Sequence, residues 1–224
     1  MKSLKNLKRV MTAAVAATML MMVGCGKDAG SSNKKNDEPT TAAGQSGNTI
    51  IITLNAEQAP ITCENFEKLV NEGFYDGLTF HRVIDGFMAQ GGDPEGTGMG
   101  GSKDTIKGEF KANGVNNELS HQRGVISMAR SNDMDSASSQ FFICYTGQYS
   151  SSLDGLYAAF GNVTEGMEVV EDFTRIPRSQ GLDGEMSKPN TPIIMEKVEM
   201  IEPDANGWHR VKITMNNFIE EANV

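Results

Sequence analysis

The chain has 224 residues, of which 38% are hydrophobic. It is therefore long enough for one domain with a substantial core and too short for two large ones. Its formal net charge of −9 at pH 7 argues against nucleic acid or an anionic lipid surface as an electrostatic partner.

Residues 1–24 are typical of a bacterial export signal. Four basic residues precede an apolar stretch over residues 10–23 that is too short for a comfortable membrane span. The stretch ends in Met22-Val23-Gly24-Cys25, which resembles the lipobox of bacterial lipoproteins, although methionine stands where leucine is usual. We expect cleavage before Cys25 and acylation of this cysteine, which would anchor the protein on the extracytoplasmic side of the cell membrane. An ordinary signal peptide followed by an incidental cysteine is the alternative.

Residues 25–48 are interpreted as the lipidated cysteine and a flexible tether. The segment after Cys25 contains no large apolar residue, so it cannot bury enough surface to offset its ordering entropy. Loss of residues 1–24 would remove four basic residues and no acidic ones, which moves the formal charge from −9 to −13. The acyl group, and not charge, would therefore hold the protein at the membrane.

Residues 49–202 are predicted to form the compact domain. A β-branched run over 49–54 predicts a strand. Thr62 is the predicted N-cap of a short helix that ends at Gly73, and a second helix is expected over 165–175. Further strands are predicted at 79–84, 87–90, 124–130, 140–145, 157–160 and 193–201. Many short strands with no strand-helix alternation favour a mainly β, closed antiparallel barrel.

The C-terminal extension, residues 203–224, has a turn signal at Asn206-Gly207 and then alternating apolar residues. This pattern is consistent with an added hairpin strand. The chain's one tryptophan, Trp208, lies in this extension.

Three segments are unusual in combination: FHRVIDGFMAQGGD over 80–93, SMAR over 127–130 and SQFFIC over 139–144. Strand alternation places Met88 and Gln90 on one face, and Gln140 and Phe142 on one face. If these strands are neighbours, they present apolar surface around an amide and a guanidinium. That is the usual form of a site for a small ligand or a peptide side chain.

The three segments resemble the signature segments of cyclophilins, and the similarity extends in order over about residues 49–202. The resemblance implies a closed eight-stranded antiparallel barrel capped by two α-helices. It also implies a peptidyl-prolyl cis-trans isomerase that needs no cofactor and no metal. In this family Arg82 would supply the catalytic guanidinium, with Gln90 orienting it. The positions that would bind substrate are Phe87, Met88, Ala129, Arg130, Gln140, Phe142, Leu153 and Tyr157.

Two of these positions depart from the family pattern. Arg130 stands where asparagine is common, and we expect the exchange to be tolerated because that residue chiefly offers its backbone. Tyr157 stands where many members have histidine, and we expect it to keep the wall of the site. The expected partners are proline-containing polypeptides, and the protein is expected to be a monomer. The rival function is a non-catalytic module that binds proline-containing peptides, as a chaperone or in surface adhesion.

Other motifs are interpreted as structural. The three histidines are scattered, which argues against a metal site, and His121 is expected to be a hydrogen-bonded structural residue. Residues 150–152 are read as a polar loop. Cys63 and Cys144 could form a disulfide in an exported protein, but two separate buried thiols are the favoured state.

Overall fold

The computed structural model describes residues 48–224. The predicted signal peptide, Cys25 and nearly all of the predicted tether lie outside the described residues. The helices and strands are β1 (Thr49–Leu54), α1 (Pro60–Asn71), β2 (Thr79–Ile84), β3 (Met88–Asp93), β4 (Val125–Met128), β5 (Phe141–Cys144), α2 (Ser150–Leu153), β6 (Ala159–Glu165), α3 (Met167–Asp172), β7 (Arg178–Gln180), β8 (Met186–Pro189), β9 (Met195–Ile201), β10 (Arg210–Met215) and α4 (Phe218–Ala222).

Eight strands form one antiparallel sheet in the order β2-β3-β5-β4-β6-β1-β10-β9. The mainly β prediction is confirmed. Full closure of the barrel was overstated, because the edge strands β2 and β9 meet only at one end. There the Phe80 N–H donates to the Ile193 carbonyl at 2.9 Å and the Met195 N–H donates to the Leu78 carbonyl at 2.8 Å. The sheet is thus a half-barrel with a short bridge between its edges.

The core fills the concave side of this sheet. In β1, Ile50, Ile52 and Leu54 are at most 1% exposed, while the residues between them are half-buried. This alternation follows from the two-residue period of a strand. Phe66 of α1 packs into the same core, with its ring centroid 5.5 Å from that of Phe141. The helix therefore covers one opening of the half-barrel.

The start of α1 differs from the prediction. The helix begins at Pro60, because proline is favourable in the first turn, and Thr62 is not its N-cap. The Ile61 and Thr62 N–H groups instead donate to the Glu109 carboxylate at 3.0 and 2.7 Å. Glu109 is 2% exposed. A buried carboxylate 47 residues away in sequence thus satisfies the free N–H groups of the helix.

The C-terminal extension is part of the sheet. The predicted hairpin strand is present as β10, which pairs with β9 on one side and with β1 on the other. Val211, Ile213 and Met215 of β10 are at most 2% exposed and belong to the core. Trp208 lies half-buried in the connection between β9 and β10, where its backbone N–H donates to Asp204 Oδ1 at 2.9 Å. The predicted domain boundary at residue 202 therefore falls between two hydrogen-bonded strands.

Several smaller elements were not foreseen. The β7–β8 hairpin forms a separate two-stranded sheet, and residues 150–152, read as a loop, lie in the short helix α2. The second predicted helix is present but shorter, as α3 followed by a 3-10 turn over Phe173–Arg175.

The two described cysteines are unpaired and buried, as predicted. Burial raises the pKa of the Cys63 and Cys144 thiols to about 12. Across residues 48–224, no helix is long and apolar enough to cross a bilayer.

Candidate active site

The register of the sheet builds a row of side chains on the convex face. Arg82 of β2 lies opposite Gln90 of β3, Gln90 lies opposite Phe142 of β5, and Phe142 lies opposite Ser127 of β4. The flanking residue Phe141 points into the core instead. Three neighbouring strands, β2, β3 and β5, therefore bring a guanidinium, an amide and an aromatic ring together outside the core.

Arg82 is held by contacts on two edges of its guanidinium. Nε donates to Asp183 Oδ2 at 2.6 Å. Nη1 donates to Gln90 Oε1 at 3.4 Å and lies 3.8 Å from the Met88 sulfur. The side chain is 28% exposed, so part of the guanidinium is open to a ligand.

The two glutamines form a hydrogen-bonded relay behind Arg82. Gln90 Nε2 donates to Gln140 Oε1 at 2.8 Å, and Gln140 Nε2 donates to the Gly100 carbonyl at 2.7 Å. Because each amide nitrogen is committed to an acceptor, the Gln90 oxygen faces the guanidinium. The relay thus orients Gln90 so that its amide oxygen, and not its amide nitrogen, contacts Arg82.

An apolar cluster lies beside the guanidinium on the convex face. Its buried members are Met88, Phe142, Cys144 and Leu153, and its half-buried members are Ile84, Phe87, Ala129, Tyr149 and Tyr157. The Phe142 and Tyr157 rings meet edge to face at 5.9 Å between centroids. We call these nine residues the outer apolar cluster. It offers partly open apolar surface next to a charged donor, which suits an apolar ring attached to a polar backbone.

The comparisons with known proteins agree with this geometry. The family model "Cyclophilin type peptidyl-prolyl cis-trans isomerase/CLD" matches residues 40–200. The chain belongs to the cyclophilin family. It is therefore a peptidyl-prolyl cis-trans isomerase by family, by its named relatives and by its structural neighbours.

Two curated relatives illustrate the similarity of this cyclophilin. Peptidyl-prolyl cis-trans isomerase B of Bacillus subtilis is 48% identical over 130 residues, which are 58% of this chain and 86% of the relative. Peptidyl-prolyl cis-trans isomerase A of Dickeya dadantii is 36% identical over 166 residues, covering 73% of this chain and 83% of the relative.

A solved structure extends the comparison to the fold. The crystal structure of a Cryptosporidium parvum cyclophilin type peptidyl-prolyl cis-trans isomerase in the presence of the dipeptide Ala-Pro aligns with a TM-score of 0.58 and 32% sequence identity. The alignment covers 67% of this chain and 93% of that one.

Both departures from the family pattern lie in one wall of the cyclophilin site. The Arg130 guanidinium stacks over the Tyr157 ring at 4.8 Å and over the Phe110 ring at 5.0 Å. Its Nε and Nη2 donate to the Leu156 carbonyl at 3.0 and 2.9 Å. Arg130 therefore braces Tyr157 from behind by cation–π contact and hydrogen bonds.

A serine, a histidine and an aspartate form a linear array under the site. His121 Nδ1 lies 2.7 Å from Asp154 Oδ1, and His121 Nε2 lies 2.9 Å from Ser127 Oγ. Ser127 is fully buried, so its hydroxyl cannot reach a substrate. Burial lowers the pKa of His121, although Asp154 opposes the shift. His121 is buried and hydrogen-bonded, as predicted, and its ring stacks on Phe142 at 5.9 Å between centroids.

Asp183 was missed by the sequence analysis. It lies in the turn of the β7–β8 hairpin, and no periodic pattern of apolar residues in the sequence predicts this hairpin. Burial opposes ionisation of its carboxyl group, but hydrogen bonds from Arg82, the Glu185 N–H and Ser187 outweigh it, so its pKa lies below the ordinary value.

The structure brings the ten described residues of the predicted site into one contiguous surface. Their individual roles stay predictions, and the predicted lipidation site Cys25 lies outside the described residues. The residues brought together are Arg82, Phe87, Met88, Gln90, Ala129, Arg130, Gln140, Phe142, Leu153 and Tyr157.

Proposed function

We propose that this cyclophilin accelerates X–Pro rotation in exported polypeptides, with Arg82 as the catalytic donor. The observation that carries the proposal is the position of the Arg82 guanidinium, whose Nη1 lies 3.8 Å from Met88 Sδ at the edge of the outer apolar cluster. X–Pro bonds interconvert in roughly 10–100 s without a catalyst at 25 °C, which is slow enough to delay folding.

The mechanism follows from the electronic structure of the bond. Resonance keeps the X–Pro amide planar, and rotation interrupts it, which leaves a lone pair on the prolyl nitrogen. A donor aimed at that nitrogen stabilises the twisted state more than the planar one, so the barrier falls. Arg82 suits this role because a guanidinium stays charged and offers several N–H donors in a rigid plane. No covalent intermediate is required.

The outer apolar cluster would hold the proline ring while the preceding carbonyl turns. The crystal structure of the relative in the presence of the dipeptide Ala-Pro supports binding of proline-containing peptides. Gln90 would orient Arg82, and Ala129 and Gln140 would line the groove for the flanking peptide. An acceleration of roughly 10⁵-fold corresponds to about 7 kcal/mol, shared by the hydrogen bond, desolvation and positioning.

An isomerisation assay on proline peptides tests the proposal. Arg82→Ala should reduce kcat/KM by roughly 100-fold or more, the usual loss when one donor to a developing charge is removed. Arg123→Ala is the matched control, because Arg123 is an exposed arginine paired with Glu171; it should keep full activity. Wild-type activity no faster than that of Arg82→Ala would contradict the proposal. Peptide binding without turnover would favour the non-catalytic rival.

We further propose that the protein is a monomer anchored through Cys25 on the extracytoplasmic side of the membrane. The support is the sequence of residues 1–48: a basic start, a short apolar stretch, a lipobox-like tetrapeptide and a polar segment. Radioactive fatty acid should label the wild type and Cys63→Ala but not Cys25→Ala. Equal labelling of all three, or none in the wild type, would contradict the anchor. Sedimentation of the detergent-solubilised protein should give the mass of one chain.

A further inference from the structure

Asp183 binds the guanidinium on which the proposed function depends. Its Oδ2 accepts from Arg82 Nε at 2.6 Å, the shorter of the two hydrogen bonds that Arg82 donates to side-chain oxygens of the described residues. We infer that Asp183 is a positioning residue: it holds Nε of Arg82 and so orients the rest of the guanidinium toward the substrate. This inference rests on the proposed function.

Asp183 is itself held rigidly by its own hairpin. The Ser187 hydroxyl lies 2.9 and 3.0 Å from the two carboxylate oxygens, and the Glu185 N–H donates to Oδ1 at 3.0 Å. Ser187 is 1% exposed, so its hydroxyl is not a mobile surface group. The carboxylate therefore has a defined orientation before it meets Arg82.

The hairpin is also tied to the sheet at its base. Arg178 of β7 donates from Nη2 to Asp85 Oδ2 at 2.9 Å, and Asp85 directly follows β2. Arg178 Nη1 donates to the Thr174 carbonyl at 2.9 Å. The hairpin thus contacts β2 at Arg82 and also contacts Asp85, the residue that directly follows this strand. Through Asp183 in its turn, it holds the side chain of Arg82 in place.

Anchoring of Arg82 has a direct catalytic consequence. An unrestrained arginine side chain samples many rotamers, and ordering it during the reaction would cost free energy. With Nε on Asp183 and Nη1 on Gln90, the described residues leave Nη2 available to the substrate. A small displacement of a catalytic group is enough to lower the rate strongly. Arg82 is instead aligned before the substrate binds.

The ion pair should matter more for the rate than for stability. Both side chains are about one-quarter exposed, at 28% and 25%, so solvent screens their attraction. Removing the carboxylate should therefore leave the fold intact and free the guanidinium. This separates a positioning role from a purely structural one.

Kinetics of hairpin variants in the purified full chain test the inference. Asp183→Ala should lower kcat by roughly tenfold and change KM less than twofold. Asp183→Asn keeps an oxygen that can accept from Nε, so its kcat should lie between those of Asp183→Ala and the wild type. Glu185→Gln is the matched control, because it removes one negative charge from the same turn and keeps the N–H that binds Asp183. It should behave like the wild type.

A double variant distinguishes a positioning role of Asp183 from a purely structural one, because it shows whether the effect of Asp183→Ala depends on Arg82. If Asp183 acts through Arg82, adding Asp183→Ala to Arg82→Ala should cause no further loss of the residual activity. Full activity of Asp183→Ala, higher activity, or an equal tenfold loss in both backgrounds would overturn the inference. These outcomes are distinct from failure of the proposed function, which would show as a wild type no faster than Arg82→Ala.

Discussion

The two faces of strand β5 have different surroundings although both are apolar and buried. Phe141 and Ile143 point into the core and are fully buried, while Phe142 and Cys144 point outward and are 5% and 1% exposed. Burial alone therefore does not separate core from site. The neighbours do: Phe141 meets the rings of Phe66, Tyr75 and Phe80.

Phe142 has a different environment. Its ring contacts are His121 and the half-buried Tyr157. The three rings around Phe141 are themselves at most 1% exposed, whereas the outer apolar cluster around Phe142 includes half-buried residues that can accept a ligand. A strand with two apolar faces is thus a way to build a rigid site, because the inner face anchors what the outer face presents.

Deletion of residues 203–224 should have the largest effect on this arrangement. It removes β10, which separates β1 from β9 and supplies three residues to the core. We expect the truncated chain not to fold, as measured by circular dichroism and by proteolysis. A cooperative unfolding transition in the truncated chain would show that the inner face does not depend on this strand.

Alanine at the two adjacent phenylalanines sharpens the comparison. Phe141→Ala should destabilise the fold by about 3–5 kcal/mol, because it leaves a cavity among packed rings. Phe142→Ala should cost less stability and lower kcat/KM by at least roughly tenfold, because it removes an aromatic ring from the outer apolar cluster that would hold the proline ring. Urea unfolding and the peptide assay measure the two effects. Equal losses of stability and activity in both variants would contradict the division between the faces.

Stability should fall as the pH decreases from 7 to 5. Burial lowers the pKa of His81 and His121 in the folded state below the ordinary histidine value of about 6.5. The unfolded chain therefore takes up protons first, so the contribution of these histidines is complete above pH 6.5 and is lost as the pH falls through the folded-state values. Urea unfolding of His121→Asn should show a weaker dependence over this range. A wild type more stable at pH 5 than at pH 7 would refute this account.

Thiol labelling should give the smallest effect. Cys63 lies in the core and Cys144 lies in the outer apolar cluster, and burial raises the pKa of both thiols to about 12. Iodoacetamide at pH 8 should therefore label neither of these two cysteines in the folded protein. Both should react in urea. Rapid labelling of Cys144 alone in the native state would show that the outer cluster opens more than its burial indicates.

Most of the sheet could be predicted from the sequence, and the ten described residues of the predicted site lie together on one surface. Strands β1 and β2 were predicted to the residue, and the two-residue period placed Gln90 with Met88 and Gln140 with Phe142 correctly. The period could not tell the outer face from the core, because β5 is buried on both sides. Only the resemblance to cyclophilins separated the two.

Long-range polar contacts account for what could not be predicted. Glu109 accepts hydrogen bonds from the N–H groups at the start of α1, and Asp183 binds Arg82 across 101 residues of sequence. Neither residue has a local pattern, since its partner is chosen by the fold and not by spacing along the chain. Similarly, the resemblance ended at residue 202, so residues 203–224 were taken as an extension, whereas β10 pairs with both β1 and β9.

The position of Trp208 has a practical consequence for spectroscopy. The chain's one tryptophan sits in the β9–β10 connection, while the site stands on β2, β3, β4 and β5. Its intrinsic fluorescence should therefore report unfolding of the sheet and remain silent during peptide titration. A tryptophan introduced near Leu153 would supply an optical signal for occupancy, and the native indole would serve as the internal reference for folding.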